Sequence, residues 1–233
     1  MSEGFLSLKD MAKKYNMTEK SLKKILEENR IPNTSQPDAG VVYNVKAFDR
    51  WLAANIKNLS SEKLEEIEVD DKQKSPSIHL LLNEQRVLFN PPYSTKMQVL
   101  NGLVETLVES EGIKKKDAKA VLGAIIERER LCSTAITDGV AIPHPRSSME
   151  KFVKEPLLVL AISKKGIHFE SDDGKHTNLF FLICADSIDI HLKVMAKLSR
   201  LLRSPKFRHE IIISPDFKTV YEVIEKWEKN LNK

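Results

Sequence analysis

Apolar residues recur at three- and four-residue intervals in several stretches of the chain, and each such stretch predicts a helix with one buried face. Val99, Leu100, Leu103, Val104, Leu107 and Val108 form the clearest stripe. Ala118, Val121, Leu122, Ile125 and Ile126 repeat it, as do Leu192, Met195, Leu198, Leu201 and Leu202 in "HLKVMAKLSRLLR". Short unbroken apolar runs at 140–142, 157–162 and 179–185 read as buried strands. Helices interleaved with buried strands predict an α/β domain over residues 78–233.

The first 58 residues have another rhythm. Ser7 and Asp10 in "SLKD" stand at capping-box spacing, with Leu8, Met11, Ala12 and Tyr15 following as a short apolar stripe. Thr18 and Ser21 in "TEKS" open a second helix, which turns Leu22, Ile25 and Leu26 inward and Lys20, Lys23 and Lys24 outward. Two short helices joined by a tight turn make a helix-turn-helix pattern. A Pro- and Gly-containing region with a strand at Val41–Tyr43 follows, and Asn44 then caps a helix whose apolar face is Phe48, Trp51 and Leu52. From Leu59 to Ser77 the sequence "LSSEKLEEIEVDDKQKSPS" is acidic, then polar, and reads as a linker. A charged, solvated helix over 60–68 fits the same residues; either way a domain boundary falls here.

At 233 residues the chain has room for two domains. Its longest apolar runs are too short to cross a bilayer, so no membrane insertion is expected. The charged amino terminus lacks the apolar stretch and small-residue cleavage site of an export signal, which makes the cytoplasm the expected compartment. Cys132 and Cys184 are too few for a disulfide scaffold and are expected as reduced thiols. A net charge of +4 permits contact with nucleic acid without demanding it.

The candidate chemistry centres on His144, which ends the run 140–142 between Pro143 and Pro145. Neutral imidazole is a nucleophile near neutral pH, and the prolines present the ring from a stiff, extended segment. Asp138-Gly139 supplies the turn before that strand. His168 and His176 flank the acidic turn "FESDDGK" and, with Cys184, match no standard metal spacing, so neither metal nor cofactor is expected. His79 and His209 read as surface residues.

The segment "RERLCSTAITDGVAIPHPR" resembles the active-site signature of the fructose-mannitol class of enzyme IIA, the phosphocarrier domain of the bacterial sugar phosphotransferase system, including its nitrogen-regulatory branch. Arg128, Glu129, Ser133, Thr134 and Gly139 through His144 all stand in place. The likeness extends over about residues 78–230 and implies a mixed β-sheet flanked by helices. It also implies that His144 accepts a phosphoryl group from HPr or an HPr-like carrier. The family's second histidine, which precedes a leucine at a helix start, corresponds to His191 in "DIHLKV", and its arginine to Arg128. A helix amino terminus offers oriented N–H groups and a guanidinium offers a planar fork, both suited to a phosphoryl group. The chain departs from the family at Pro145, where a small residue is usual and where proline has no N–H, and at Ala135, where "STG" is usual.

Residues 5–56 resemble the excisionase-type, winged members of the MerR-like helix-turn-helix family. That resemblance implies DNA contact through Lys20, Ser21, Lys23 and Lys24. The wing sequence "NTSQPDAGVVYN" carries no Lys or Arg, and a solvated basic face on a protein-binding module fits the same helix. The resulting expectation is a winged helix-turn-helix domain over 1–58, a linker over 59–77 and a phosphocarrier domain over 78–233 that couples phosphorylation to DNA or partner binding. Two alternatives stay open: a transport component passing phosphate to an enzyme IIB, and a regulator that binds a target protein without carrying phosphate.

Overall fold

The computed structural model describes residues 4–15, 17–37, 40–55, 59–68, 76–136, 138–146, 148–171 and 173–231. The chain divides into two compact units, Met1–Ser75 and Pro76–Lys233.

In the first unit, β1 (Phe5–Ser7) leads into α1 (Leu8–Lys14) and α2 (Glu19–Glu28), followed by β2 (Asn33–Gln36), β3 (Gly40–Asn44), α3 (Val45–Asn55) and α4 (Ser61–Glu68). Ser7 and Thr18 cap α1 and α2, accepting from the backbone N–H of Asp10 and of Ser21 at 3.1 Å each. Asn44 Oδ1 accepts from the Ala47 N–H at 2.9 Å at the start of α3. These bonds satisfy helix N–H groups that have no partner inside the helix. The strands pair antiparallel in the order β1-β3-β2. Met11, Leu22, Leu26, Phe48 and Leu52 are buried, and Phe48 meets Tyr15 edge-on at 4.7 Å.

The stretch expected as a linker differs. Residues 61–68 form α4, with the Ser60 hydroxyl accepting from the Lys63 N–H, and Leu59, Leu64 and Ile67 are buried rather than solvated. Four glutamates among those eight residues mask a short apolar stripe that belongs to the first unit. The division at Ser75/Pro76 falls inside the expected linker, 59–77, of which residues 69–75 lie outside the described residues.

The second unit runs β4 (Val87–Phe89), α5 (Lys96–Glu109), α6 (Ala118–Leu131), β5 (Ala135–Ile136), β6 (Val140–Ala141), β7 (Leu157–Ile167), β8 (Thr177–Cys184), α7 (Ile188–Leu202), α8 (Pro205–Ile213) and α9 (Phe217–Leu231). Its sheet has the order β4-β7-β8-β6-β5 and is mixed: β4 lies parallel to β7 and β6 parallel to β8, while β7/β8 and β5/β6 are antiparallel. β7 is buried over residues 157–163 and β8 at every position but Asn178, as their unbroken apolar runs require. α5 packs its stripe from Val99 to Leu107 into the main core against Val159, Phe180 and Leu182, together with Val121 and Ile125 of α6. The α5 start carries a full capping box, Thr95 and Gln98 each bonding the other's backbone.

Two devices position the ends of this unit. Asp138 and Gly139 take φ of 66° and 77°, which turns β5 back into β6. A side chain at Gly139 would also come within 2.9 Å of Asn178 Oδ1. At the other end, the carboxylate of Glu228 on α9 accepts the backbone N–H of Ile78 at 2.7 Å and of His79 at 3.1 Å, and pairs with the His79 ring. Lys197 of α7 donates to the Pro76 carbonyl at 3.0 Å and lies 3.9 Å from Glu228. His79, expected at the surface, is therefore part-buried, and its ring meets Tyr221 edge-on; His209 is exposed as expected.

Candidate functional site: two histidines beside a buried arginine

The segment after β6 leaves the sheet beside the end of β8, where the Ile183 N–H donates to the Pro143 carbonyl at 3.1 Å. His144 is thereby fixed at the sheet's end and is only 2% exposed. Its Nδ1 lies 2.7 Å from the Ile142 carbonyl. A carbonyl only accepts, so the proton sits on Nδ1 and Nε2 carries the free electron pair.

Arg128, in the last turn of α6, is buried rather than solvated. Its Nε donates to His144 Nε2 at 3.3 Å and its Nη1 to the Cys132 carbonyl at 2.8 Å, which also satisfies an open carbonyl at the helix end. The third member comes from α7. Ser187 caps that helix by accepting the Ile190 N–H, and His191 follows one residue later with its ring centroid 5.2 Å from that of His144. The structure thus brings Arg128, His144 and His191 together from three separate elements. Lys20, Ser21, Lys23 and Lys24 lie on α2 of the other unit, where Lys23 and Lys24 sit 3.8 Å and 3.7 Å from Glu27 and Glu28.

The environment keeps both rings neutral. Burial pushes the His144 pKa well below the ordinary imidazole value, and the neighbouring His191 and Arg128 add to the effect against the opposing bond to Ile142. Packing around His191, with the Arg128 charge, brings that ring down to about 4. Cys184 is buried, which pushes its thiol up to about 12 and makes it inert. Among the described residues no group of three His, Cys, Asp or Glu side chains is arranged to hold a metal ion.

A supporting layer escaped the sequence reading. The carboxylate of Glu129 makes its close contacts away from its neighbour Arg128, on which its charge still acts. Its buried Oε1 takes the Lys96 ammonium at 2.9 Å, the Thr134 N–H at 2.9 Å and the Ser133 hydroxyl at 3.2 Å. Lys96 also reaches Glu170 at 2.8 Å. The carboxylate therefore ties the α6–β5 loop to the start of α5. Thr134 accepts the Ile142 N–H through its carbonyl, while its own buried hydroxyl has no partner among the described residues. Ala135, in place of the usual glycine, pairs with Ala141 as an ordinary strand residue and is not among the positive-φ positions.

Comparison with known proteins puts this α/β unit in the class of phosphotransferase-system EIIA domains. Residues 80–227 match the family described as "Phosphoenolpyruvate-dependent sugar phosphotransferase system, EIIA 2", and the chain belongs to that family. It is 30% identical over 151 residues to the fructose-specific EIIABC component of Bacillus subtilis, a match covering 64% of this chain but only 23% of that longer protein. It is 33% identical over 135 residues to a nitrogen regulatory protein of Bradyrhizobium diazoefficiens, covering 56% of this chain and 83% of that one. The crystal structure of the nitrogen regulatory protein IIA-Ntr from Neisseria meningitidis shares the fold, with a TM-score of 0.56 at 21% identity over 63% of this chain and 98% of that one. So does enzyme IIAMtl of Escherichia coli, solved in complex with phosphorylated enzyme IIBMtl, with a TM-score of 0.54 at 18% identity over 62% and 97% of the two chains. No helix among the described residues is long and apolar enough to cross a membrane.

Proposed function

We propose that this protein is a phosphohistidine carrier and regulator, which takes a phosphoryl group onto Nε2 of His144 from the phosphohistidine of an HPr-like protein. The observation that carries this reading is the tautomer of His144: Nδ1–H is committed to the Ile142 carbonyl, and the Nε2 electron pair, which accepts from Arg128 Nε in the resting site, is the one that bonds phosphorus once that N–H turns to a phosphoryl oxygen. In the transfer, the bond between phosphorus and the donor's ring nitrogen breaks as the bond to His144 Nε2 forms. The electron pair returns to the donor ring. The N–H on the far nitrogen of each ring stays where it is, so no general base is needed. The Ile142 carbonyl then stabilises the charge gained by the His144 ring.

Phosphoryl transfer chiefly requires positioning and charge neutralisation. Arg128 supplies a cationic fork, the His191 ring a donor, and the nearby start of α7 a positive dipole end. The Thr134 hydroxyl, buried with no partner among the described residues, would be a further donor if the phosphoryl oxygens come within its reach. Incubation with phosphoenolpyruvate, enzyme I and HPr, or with the nitrogen-branch counterparts, followed by intact-mass analysis, tests the proposal. One phosphoryl group is gained by the wild type and none by His144→Ala; absence of any gain with carriers from the native host leaves the binding-only regulator as the reading. Adding candidate IIB proteins and following loss of the phosphoryl group separates the transport reading from the regulatory one.

The proposal extends to the first unit as a winged helix-turn-helix domain, with α2 presenting Lys20, Ser21, Lys23 and Lys24 to DNA and β2–β3 as the wing. The order of helices and strands supports it. The glutamates beside Lys23 and Lys24, and a wing without cations, keep the phosphate attraction small. Phosphorylation adds about two negative charges at His144, which would alter DNA or partner binding. Equal DNA or partner affinity for the phosphorylated and unmodified chains would remove the coupling.

A further inference from the structure

Away from His144, the second unit has a cleft of about 710 Å³ between the end of α5, the loop that follows it and the segment leading into β7. That volume lies in the range of small-molecule sites. Its inner wall is apolar, formed by Val108, Ile113, Phe152 and Leu157, of which Ile113 and Leu157 are buried. Its polar lining is unbalanced. Arg86, Lys114, Lys115 and Lys154 face two carboxylates, Glu111 and Glu155, which leaves an excess of two positive charges (4 − 2 = 2). Arg86 is half-buried and fixed: its Nε donates to the Ser110 hydroxyl at 3.0 Å and its Nη2 to the Ser110 carbonyl at 3.4 Å. The guanidinium is thus held in place with Nη1 uncommitted among the described residues.

We infer that this cleft is a second ligand site, which takes a small organic phosphate monoester with an apolar body. A phosphomonoester carries about two negative charges at neutral pH, which matches the excess in the lining. A fixed guanidinium suits a phosphate oxygen pair. The apolar wall gives the ester group a surface that inorganic phosphate cannot use. Arg128, His144 and His191 do not line the cleft, so the site is separate from the proposed phosphocarrier centre and does not depend on it.

Calorimetric titration of the full chain with hexyl phosphate tests the inference, with inorganic phosphate and hexanoate as the two comparison probes. Hexyl phosphate binds at one site, tighter than either comparison probe by about tenfold. Reversing two exposed rim charges, Lys114→Glu with Lys154→Glu, weakens it by at least as much, whereas His144→Ala leaves it unchanged. Hexanoate binding as well as hexyl phosphate overturns the assignment of the headgroup, and inorganic phosphate binding as well as hexyl phosphate removes the role of the apolar wall. Loss of binding in His144→Ala, retention in the charge-reversed variant, or no binding at millimolar concentration each overturns the site.

Discussion

Nδ1–H of His144 donates a hydrogen bond to the Ile142 carbonyl, and burial keeps the ring uncharged at pH values where a free imidazole would protonate. His191 behaves alike, with a pKa of about 4. The nucleophile stays available in mildly acidic conditions, but stability does not hold. An unfolded chain binds protons from about pH 6.5 downward, whereas the folded rings refuse them until pH about 4 in the case of His191. Stability, full above the ordinary imidazole range, therefore falls as pH drops through that window. Urea midpoints at pH 7.5, 6 and 5 check this, and His191→Gln should give a shallower decline than the wild type; equal slopes would count against the assignment. Arg128→Lys keeps a charge but loses the fork that spans His144 and Cys132. The rate of phosphoryl acceptance should drop by about a hundredfold, with little change in far-ultraviolet circular dichroism. His144 was legible through a local signature, a histidine between two prolines, whereas Arg128 and His191 were named only through the family resemblance. The Glu129–Lys96 pair was not legible, because it joins residues that only the fold brings together.

Helices with a continuous apolar stripe were readable from spacing alone, as α5, α6 and α7 illustrate. β1, β2, β4 and β5 were not, since two to four residues cannot establish an alternation. α4 was obscured by its glutamates. A packing rule inside α5 was equally invisible. A Cβ placed on Gly102 would lie 1.9 Å from the Tyr93 hydroxyl oxygen, so the helix needs glycine there despite its low helix propensity. Gly102→Ala should destabilise by about 1–3 kcal/mol through overpacking, measured by chemical denaturation. In a Tyr93→Ala background the same substitution should cost little or even stabilise, since alanine favours the helix once the ring is gone. A full penalty in both backgrounds would show that the collision is not the cause.

At the scale of the whole chain, the grip of Glu228 and Lys197 on residues 76–79 fixes where the second unit begins physically. The family match begins at residue 80, just past the gripped amides of Ile78 and His79. A fragment cut at the start of the match would keep every residue of the signature and still leave a buried carboxylate facing no donor from that strap. Lys197 still lies 3.9 Å from the carboxylate, and losing hydrogen bonds to a charged group costs about 1.5–3 kcal/mol, so residues 80–233 should melt about 3–10 °C below residues 76–233. Equal melting temperatures by differential scanning calorimetry would show that the strap is dispensable. The family match and the packed unit therefore begin at different residues, and the few residues between them, though outside the match, are structural members of the unit.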